Sequence, residues 1–508
     1  MYNPDKLNLF AGYLSNNYGL DITTTEARAD LLKGFEMTLV ASGNAISIGG
    51  TAANASIQQE IGALGGFSTP FTATASMNDS SLRSLAGFPT AGSTISMSNF
   101  YGKASFTGYY AAVANVTLTN ASDGMLVARD NSGNLFATAH NNYSTLALNT
   151  TNGIRWQSKY TQIKIKATLV YSTTPLMFRI GQDSASNGIV VACVGAADGT
   201  TAGKWCKKYL FTGLSTPYIY QSTCDLGAAG DVYVGGTNPF APSGGNSAFL
   251  IKYSMSGTLM FHKVFTTTTW VNVVAVAERG SYLWVIFSYQ NTLVYQFIYL
   301  YDTSGTLLGK YRMTDGTNTH EIYYSCMKAS GTDMYLTGQT EVGKPVLIKV
   351  SAAMTPTWAR IITAGMGLPK AMAVTTDGSV WIVDSTGIMA KYNSSGVFQF
   401  GRTFTMTNMI VTTMIADGNN IVLGYKSNAG NAIARIRSDG TIVPTAFSVS
   451  GVSGSYAEAP ITETAMTVAF QSNVNVNPAI TEVAAGGASS DLVQAATAET
   501  FTITQTIL

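Results

Sequence analysis

The sequence is short of charge. Of its 508 residues only 11% are Asp, Glu, Lys or Arg, and the formal net charge is +1. That is well under the usual quarter. No basic stripe is present, which excludes a nucleic-acid binder. No polybasic or acidic tail is present either. Cysteine is scarce: Cys193, Cys206, Cys224 and Cys326 form no C-x-x-C pair and match no zinc spacing. They are expected to be buried, reduced thiols. The three histidines, His140, His262 and His320, have no ligand partner one helical turn away. No nucleophile elbow and no Gly-Lys-Ser/Thr phosphate loop occurs. No metal site, no cofactor and no catalysis are therefore expected.

Long hydrophobic runs are missing too. The most apolar window, residues 282–301, is interrupted by Ser, Thr, Asn and Gln. It reads as two strands turning at Gln290-Asn291, so no membrane insertion is expected. The opening residues, MYNPDKLNLFAGYLSNN, lack a basic stretch followed by an apolar one, and no secretory signal is read there.

What the chain has is turns. Fifty glycines punctuate short runs of β-branched and aromatic residues from about residue 106 to 482, with no long helical pattern. One landmark recurs: a turn with Gly followed by an apolar strand. Its glycines are Gly133, Gly188, Gly230, Gly280, Gly331, Gly378 and Gly418. A second landmark runs in phase, as in MSGTLMFHKVF, TSGTLLGKYRM, AMTPTWARII and SSGVFQFGRTF. Between them lies a strand such as FLIKY, VLIKV or IMAKY. The step of about 40 to 55 residues is that of propeller blades. The fold expected is mainly β: a β-propeller of seven or eight four-stranded blades over residues 106–482, because a lone blade cannot bury both faces. Lys252 and Lys391 on the third strand are read as facing solvent at one edge. A partial eighth unit is read at 465–477. Closing strands are expected at 109–119 and 501–508, the latter ending an Ala/Gly/Ser/Thr-rich tail, 483–508.

Residues 1–105 differ, with short helices expected at 23–35, 53–64 and 78–87, separated by Gly/Ser/Thr loops. Within them, SLRSLAGFPTAGSTISMSNFYGK (residues 81–103) holds only two charges, Arg83 and Lys103. Leu82, Arg83, Leu85, Ala86 and Gly87 precede Gly92, Ile95, Ser96, Ser98, Phe100, Tyr101, Gly102 and Lys103. Upstream, Ser42, Gly43, Ile46, Ser47, Ile57, Glu60, Ile61 and Gly62 form a degenerate first copy, in which Gly49 and Gly50 depart from the pattern. The segment resembles one found in tailed-bacteriophage virion proteins of the tail-fibre type, where it precedes a variable distal domain. The resemblance covers about residues 42–105. It implies a virion-attachment or oligomerisation segment, a location in the virion tail after synthesis in the host cytoplasm, and other tail proteins as partners. Leu82, Leu85, Ile95, Met97, Phe100 and Tyr101 are the apolar and aromatic side chains expected to anchor such contacts.

The expected function is a structural tail component, a fibre or appendage that docks by its N-terminus and presents the propeller to a host-surface glycan or protein. A homo-oligomer is expected, a trimer in a fibre or a six-fold ring in a nozzle or baseplate piece without receptor role. A polysaccharide-degrading enzyme is the reading of a different class. It needs two carboxylates about 5–10 Å apart. Asp225, Asp302, Asp315, Glu321, Glu341, Asp377 and Asp384 are candidates, read mostly as turn residues.

Overall fold

The computed structural model describes the strands and turns of residues 112–507 apart from short connecting stretches, together with residues 45–46 and 75–76. The chain divides into two compact units, Met1–Thr107 and Gly108–Leu508. In the first, Ala45–Ile46 and Ala75–Ser76 pair antiparallel. The helices expected before residue 88 and the attachment residues Leu82, Leu85, Ile95, Met97, Phe100 and Tyr101 lie outside the described residues.

The second unit is a seven-bladed β-propeller. Four antiparallel strands run outward in each blade. In blade one they are Met125–Arg129, Leu135–Ala139, Ser144–Leu148 and Ile154–Tyr160. The innermost strands of blades two to seven are Ile163–Tyr171, Cys224–Leu226, Trp270–Arg279, Ile322–Ser330, Pro369–Val374 and Ile410–Asp417. They stand side by side around a central channel. Blade seven borrows its fourth strand from the start of the unit: Ala112–Thr117 pairs with Gly430–Ile436. Of the seven landmark glycines, six turn with φ between 56° and 84°. Gly188 instead begins a strand.

The core sits in the seams between blades. One cluster joins Phe178, Val191 and Tyr209 of blade two to Val234, Phe249 and Tyr253 of blade three. Another joins Trp381 and Phe404 of blade six to Leu423 and Tyr425 of blade seven. Middle strands therefore bury both faces: in blade two every residue of Leu176–Asp183 and of Gly188–Gly195 is buried, and the latter reads as an unbroken run of small and apolar residues.

The recurring lysine of the third strand corrects the sequence reading. Lys252 and Lys391 do not edge into solvent; they are only 5% and 9% exposed. Each amine lies over an aromatic ring of the second strand, Lys252 over Tyr233 at 5.0 Å and Lys391 over Trp381 at 5.3 Å. Each then donates to a carbonyl in the next blade: Lys252 to Thr303 at 2.8 Å, Lys391 to Ser438 at 2.6 Å. Lys349 reaches Ser394 in the same way at 3.3 Å. In blade seven an arginine does this: Arg435 reaches Asn149 of blade one at 3.5 Å. A long stem with a hydrogen-bonding cationic head can cross a seam that shorter side chains cannot.

The outer strands add an aromatic lock. Trp156, Trp205 and Trp358 donate their indole N–H groups to Ala196, Met255 and Ser394 of the following blades. Seven and one are joined by charge: Asp417, fully buried, accepts from Arg435 at 3.0 Å and from Arg129 of blade one.

The C-terminal residues form no eighth blade. From Val452 the chain runs back around the ring and adds a strand outside every blade. Val452–Glu458 pairs with blade six, Thr462–Ala465 with blade five and Ala469–Ser472 with blade four. Thr481–Val483 follows on blade three, Gly487–Asp491 on blade two and Ala496–Thr497 on blade one. Thr502–Ile507 ends the lap on Ala112–Thr117 of blade seven. The expected closing strands thus lie side by side, and the unit read at 465–477 is part of this belt.

Composition suits the belt to its place. Residues 446–508 contain five acidic residues and no Lys, Arg or His. The outer strands supply the cations: Lys207 pairs with Asp491, Lys263 with Glu482, Arg360 with Glu463 and Arg402 with Glu458. Such partly exposed pairs contribute about 0–1 kcal/mol each. The ladder hydrogen bonds matter more, because they cover the fourth strand of each blade and leave only a short strand as its outer edge.

Candidate functional site

The channel wall is distorted at one level in most blades. The innermost strands shift register between Ile165 and Ala167, Val273 and Ala275, Tyr324 and Cys326, Pro369 and Ala371, and Val411 and Thr413. The extra residues are Lys166, Val274, Ser325, Lys370 and Thr412. In blade three a short 3-10 turn, Gln221–Thr223, precedes the innermost strand. A β-bulge leaves backbone groups off the ladder and re-aims the side chain beside it.

Side chains of adjoining blades take up some of these groups. Thr168 N–H donates to the Gln221 amide oxygen at 2.9 Å, and the Gln221 amide donates to Thr168 O at 3.1 Å. The Gln296 amide brackets Tyr324 likewise, donating to its carbonyl at 3.3 Å and accepting its N–H. The Thr412 hydroxyl donates to Met125 O at 2.8 Å and accepts from Met125 N–H at 3.2 Å. Ser222 donates to Val274 O at 2.9 Å. Four of the blade junctions are thereby stitched by side chains that pair with channel backbone.

The space enclosed is a cavity of about 440 Å³ lined by six blades. Apolar walls come from Leu126, Leu226, Met327, Met372 and Ile415, and charged groups are Asp225, Glu278, Lys328, Lys370 and Lys426. Asp225 is one of the carboxylates expected on turns; it lies instead on the innermost strand of blade three, facing Glu278. Its carboxylate accepts the Glu278 N–H at 2.9 Å. Burial pushes the Asp225 carboxyl up to about 6 against the pull of Lys328. Glu278 spends both oxygens within the wall, on Ala228 N–H at 2.8 Å and on the Tyr233 hydroxyl at 2.6 Å.

The other carboxylates stay apart. Asp302 and Asp384 cap turns, accepting the N–H groups of Ser304 and Thr306 and of Thr386 and Ile388. Asp377 accepts from Ser379 N–H at 2.9 Å. Glu341 is exposed in a turn, Asp315 follows an outer strand, and Glu321 lies outside the described residues. His262 meets the Tyr209 hydroxyl; His140 and His320 lie outside the described residues. The four cysteines are buried and unpaired, as expected. Burial pushes the Cys193 thiol up to about 11 and the Cys206 thiol to about 12. Among the described residues no three His, Cys, Asp or Glu side chains converge on a metal position, and no helix is long and apolar enough to cross a membrane.

No family model matches the sequence. No curated protein matches it either. Solved structures do resemble the chain. A streptogramin B lyase aligns with 64% of this chain and 98% of its own, at 12% identity and a TM-score of 0.44. The WD40 β-propeller domain of Doa1 aligns with 65% and 97% respectively, at 10% identity and 0.43. Virginiamycin B lyase from Staphylococcus aureus aligns with 64% and 99%, at 12% identity and 0.43. The fold assignment stands on strand order and register, and nothing of these proteins' activities is carried over.

The three lysines of the channel had no signal in the sequence beyond being single charges in apolar strands, CMKAS, PKAMAV and GYKSN. Only the bulges and the ring bring them to one wall.

Proposed function

We propose that the protein is a structural component of a phage tail, a fibre or appendage. Residues 1–105 dock it to other tail proteins or to its own copies, and the propeller is the head presented to a host-surface glycan or protein. It acts as a homo-oligomer without catalysis. The observation that carries the reading is the belt. With a short strand outside every blade, the outer edges of the head are only two to seven residues long, and short edge strands are poor templates for polymerising. Assembly then falls to the other unit, where residues 81–103 resemble tail-fibre segments. The low charge of the chain suits a protein that covers surface in an assembly.

Hydrolysis of a surface polysaccharide fits the site less well. Asp225 and Glu278 are neighbours, but both Glu278 oxygens are held by the wall, and a general base needs a free one.

The test is the mass in solution of the full chain beside residues 108–508. A trimer that falls to a monomer supports a fibre. A six-fold full-length assembly moves the reading to an architectural ring. A full chain that stays monomeric, alone and when mixed with tail particles, contradicts the proposal.

A further inference from the structure

Cations elsewhere on the blades are mostly engaged. Lys207, Lys208, Lys252, Lys263 and Lys349 sit in ion pairs, and Lys310 and Lys391 lie over rings. Lys328, Lys370 and Lys426 differ. They line one cavity on three adjoining blades, five, six and seven. None of them has a salt bridge among the described residues. Burial raises the Cys326 thiol, and Lys328 and Lys370 both pull against that rise. Lys370 is itself the extra residue of a bulge, the device that re-aims a side chain at a binding surface. Three like charges facing one space repel each other unless an anion joins them. The two wall carboxylates, Asp225 and Glu278, balance them only in part, Asp225 feeling Lys328, and leave the lining with a formal excess of one positive charge.

We propose that the channel is a binding site for a small ligand carrying a carboxylate or phosphate, its oxyanion held by Lys328, Lys370 and Lys426. Ammonium groups bind oxyanions as point charges without fixed geometry. The cavity of about 440 Å³ falls in the range of small-molecule sites. The Tyr220 hydroxyl can meet a neutral polar group of such a ligand, the Ser222 and Ser325 oxygens can accept from one, and Met327 and Met372 can meet its apolar faces. The inference goes beyond the virion reading and does not depend on it.

The experiment is calorimetric titration of the full-length protein with three probes: a glucuronate-containing disaccharide, glycerol 3-phosphate and maltose. Binding of either anion with no binding of maltose is expected, weakened by added salt. The double variant Lys328→Gln/Lys370→Gln should weaken it by about tenfold or more, and Lys426→Gln should weaken it less. All three side chains border open channel, and unchanged thermal melting shows that the variants fold. Asp225→Asn, which removes a competing negative charge, should tighten binding. Carboxylate-only or phosphate-only binding supports the site and identifies its source. No heat with either anion at millimolar concentrations overturns it, as do equal affinities for maltose or for the double variant.

Discussion

Trp358 of blade five lies over Gly396 of blade six. A Cβ at Gly396 would stand 2.5 Å from the indole ring, and the indole N–H donates to Ser394 O at 3.1 Å. The turn also holds Gly396 at φ 77°. Gly396→Ala meets both the ring and the left-handed backbone. A loss of about 2 kcal/mol or more is expected in urea unfolding. Trp358→Ala removes the obstacle, so a double-mutant cycle should show favourable coupling between the two substitutions.

The seam between blades seven and one depends on a buried charge. Asp417 neutralises Arg435 and reaches Arg129. Asp417→Ala leaves an arginine that is 1% exposed without its carboxylate. A cost of about 3–5 kcal/mol is expected, enough to open the ring at this seam. Asp417→Leu with Arg435→Met should recover much of it. If Asp417→Ala unfolds at the wild-type urea midpoint, the triad does not hold the seam.

Asp225 makes stability depend on pH. Its folded-state carboxyl is raised to about 6 from 3.8. The folded state therefore binds the proton more tightly than the unfolded one between those values. Its contribution is fully present below about pH 4 and is lost as pH rises through 6. Asp225→Asn should raise stability at pH 7–8 by about 2–3 kcal/mol and change it little near pH 4. Parallel stability curves for the two proteins from pH 4 to 8 would contradict the shift.

Much of the propeller was legible in the chain because each blade repeats its own local chemistry. The Gly turns and the LIKY-type strands recur in register, and each marks a turn or ladder strand that the blade forms on its own, though the lysine of the strand reaches the next blade. What crosses between blades was hidden. The aromatic locks are one case. Phe261, Trp358 and Phe400 face Lys252, Lys349 and Lys391 across the third strand. In blade four the same place is Gly309, facing Leu300. The following turn, in blade five, then carries Met354 at φ 59° where the other turns have glycine. A ring is missing on one side of that seam and a larger side chain stands on the other. The belt was hidden for a different reason. Its strands are only two to seven residues long and rich in small residues, so they read as a tail with a partial repeat. The absence of any basic residue after 446, set against aromatic-x-basic steps such as Trp205-x-Lys207, Phe261-x-Lys263, Trp358-x-Arg360 and Phe400-x-Arg402, is the signal that could have found it.

The belt of short outer strands supports the proposed division of labour, and disulfide trapping tests it most directly. Arg360 faces Ala465 on blade five, and Leu210 faces Ala488 on blade two. Opposed antiparallel residues bring their Cα atoms within disulfide reach. Arg360→Cys/Ala465→Cys and Leu210→Cys/Ala488→Cys should each cross-link under mild oxidation, found by peptide mass spectrometry without reduction. The mismatched pairs Arg360→Cys/Ala488→Cys and Leu210→Cys/Ala465→Cys should not. Cross-links in both matched pairs and neither mismatched one establish a strand that circles the ring against the order of the blades. No cross-link in the matched pairs, or equal yields in all four, would mean that residues 446–508 do not belt the propeller.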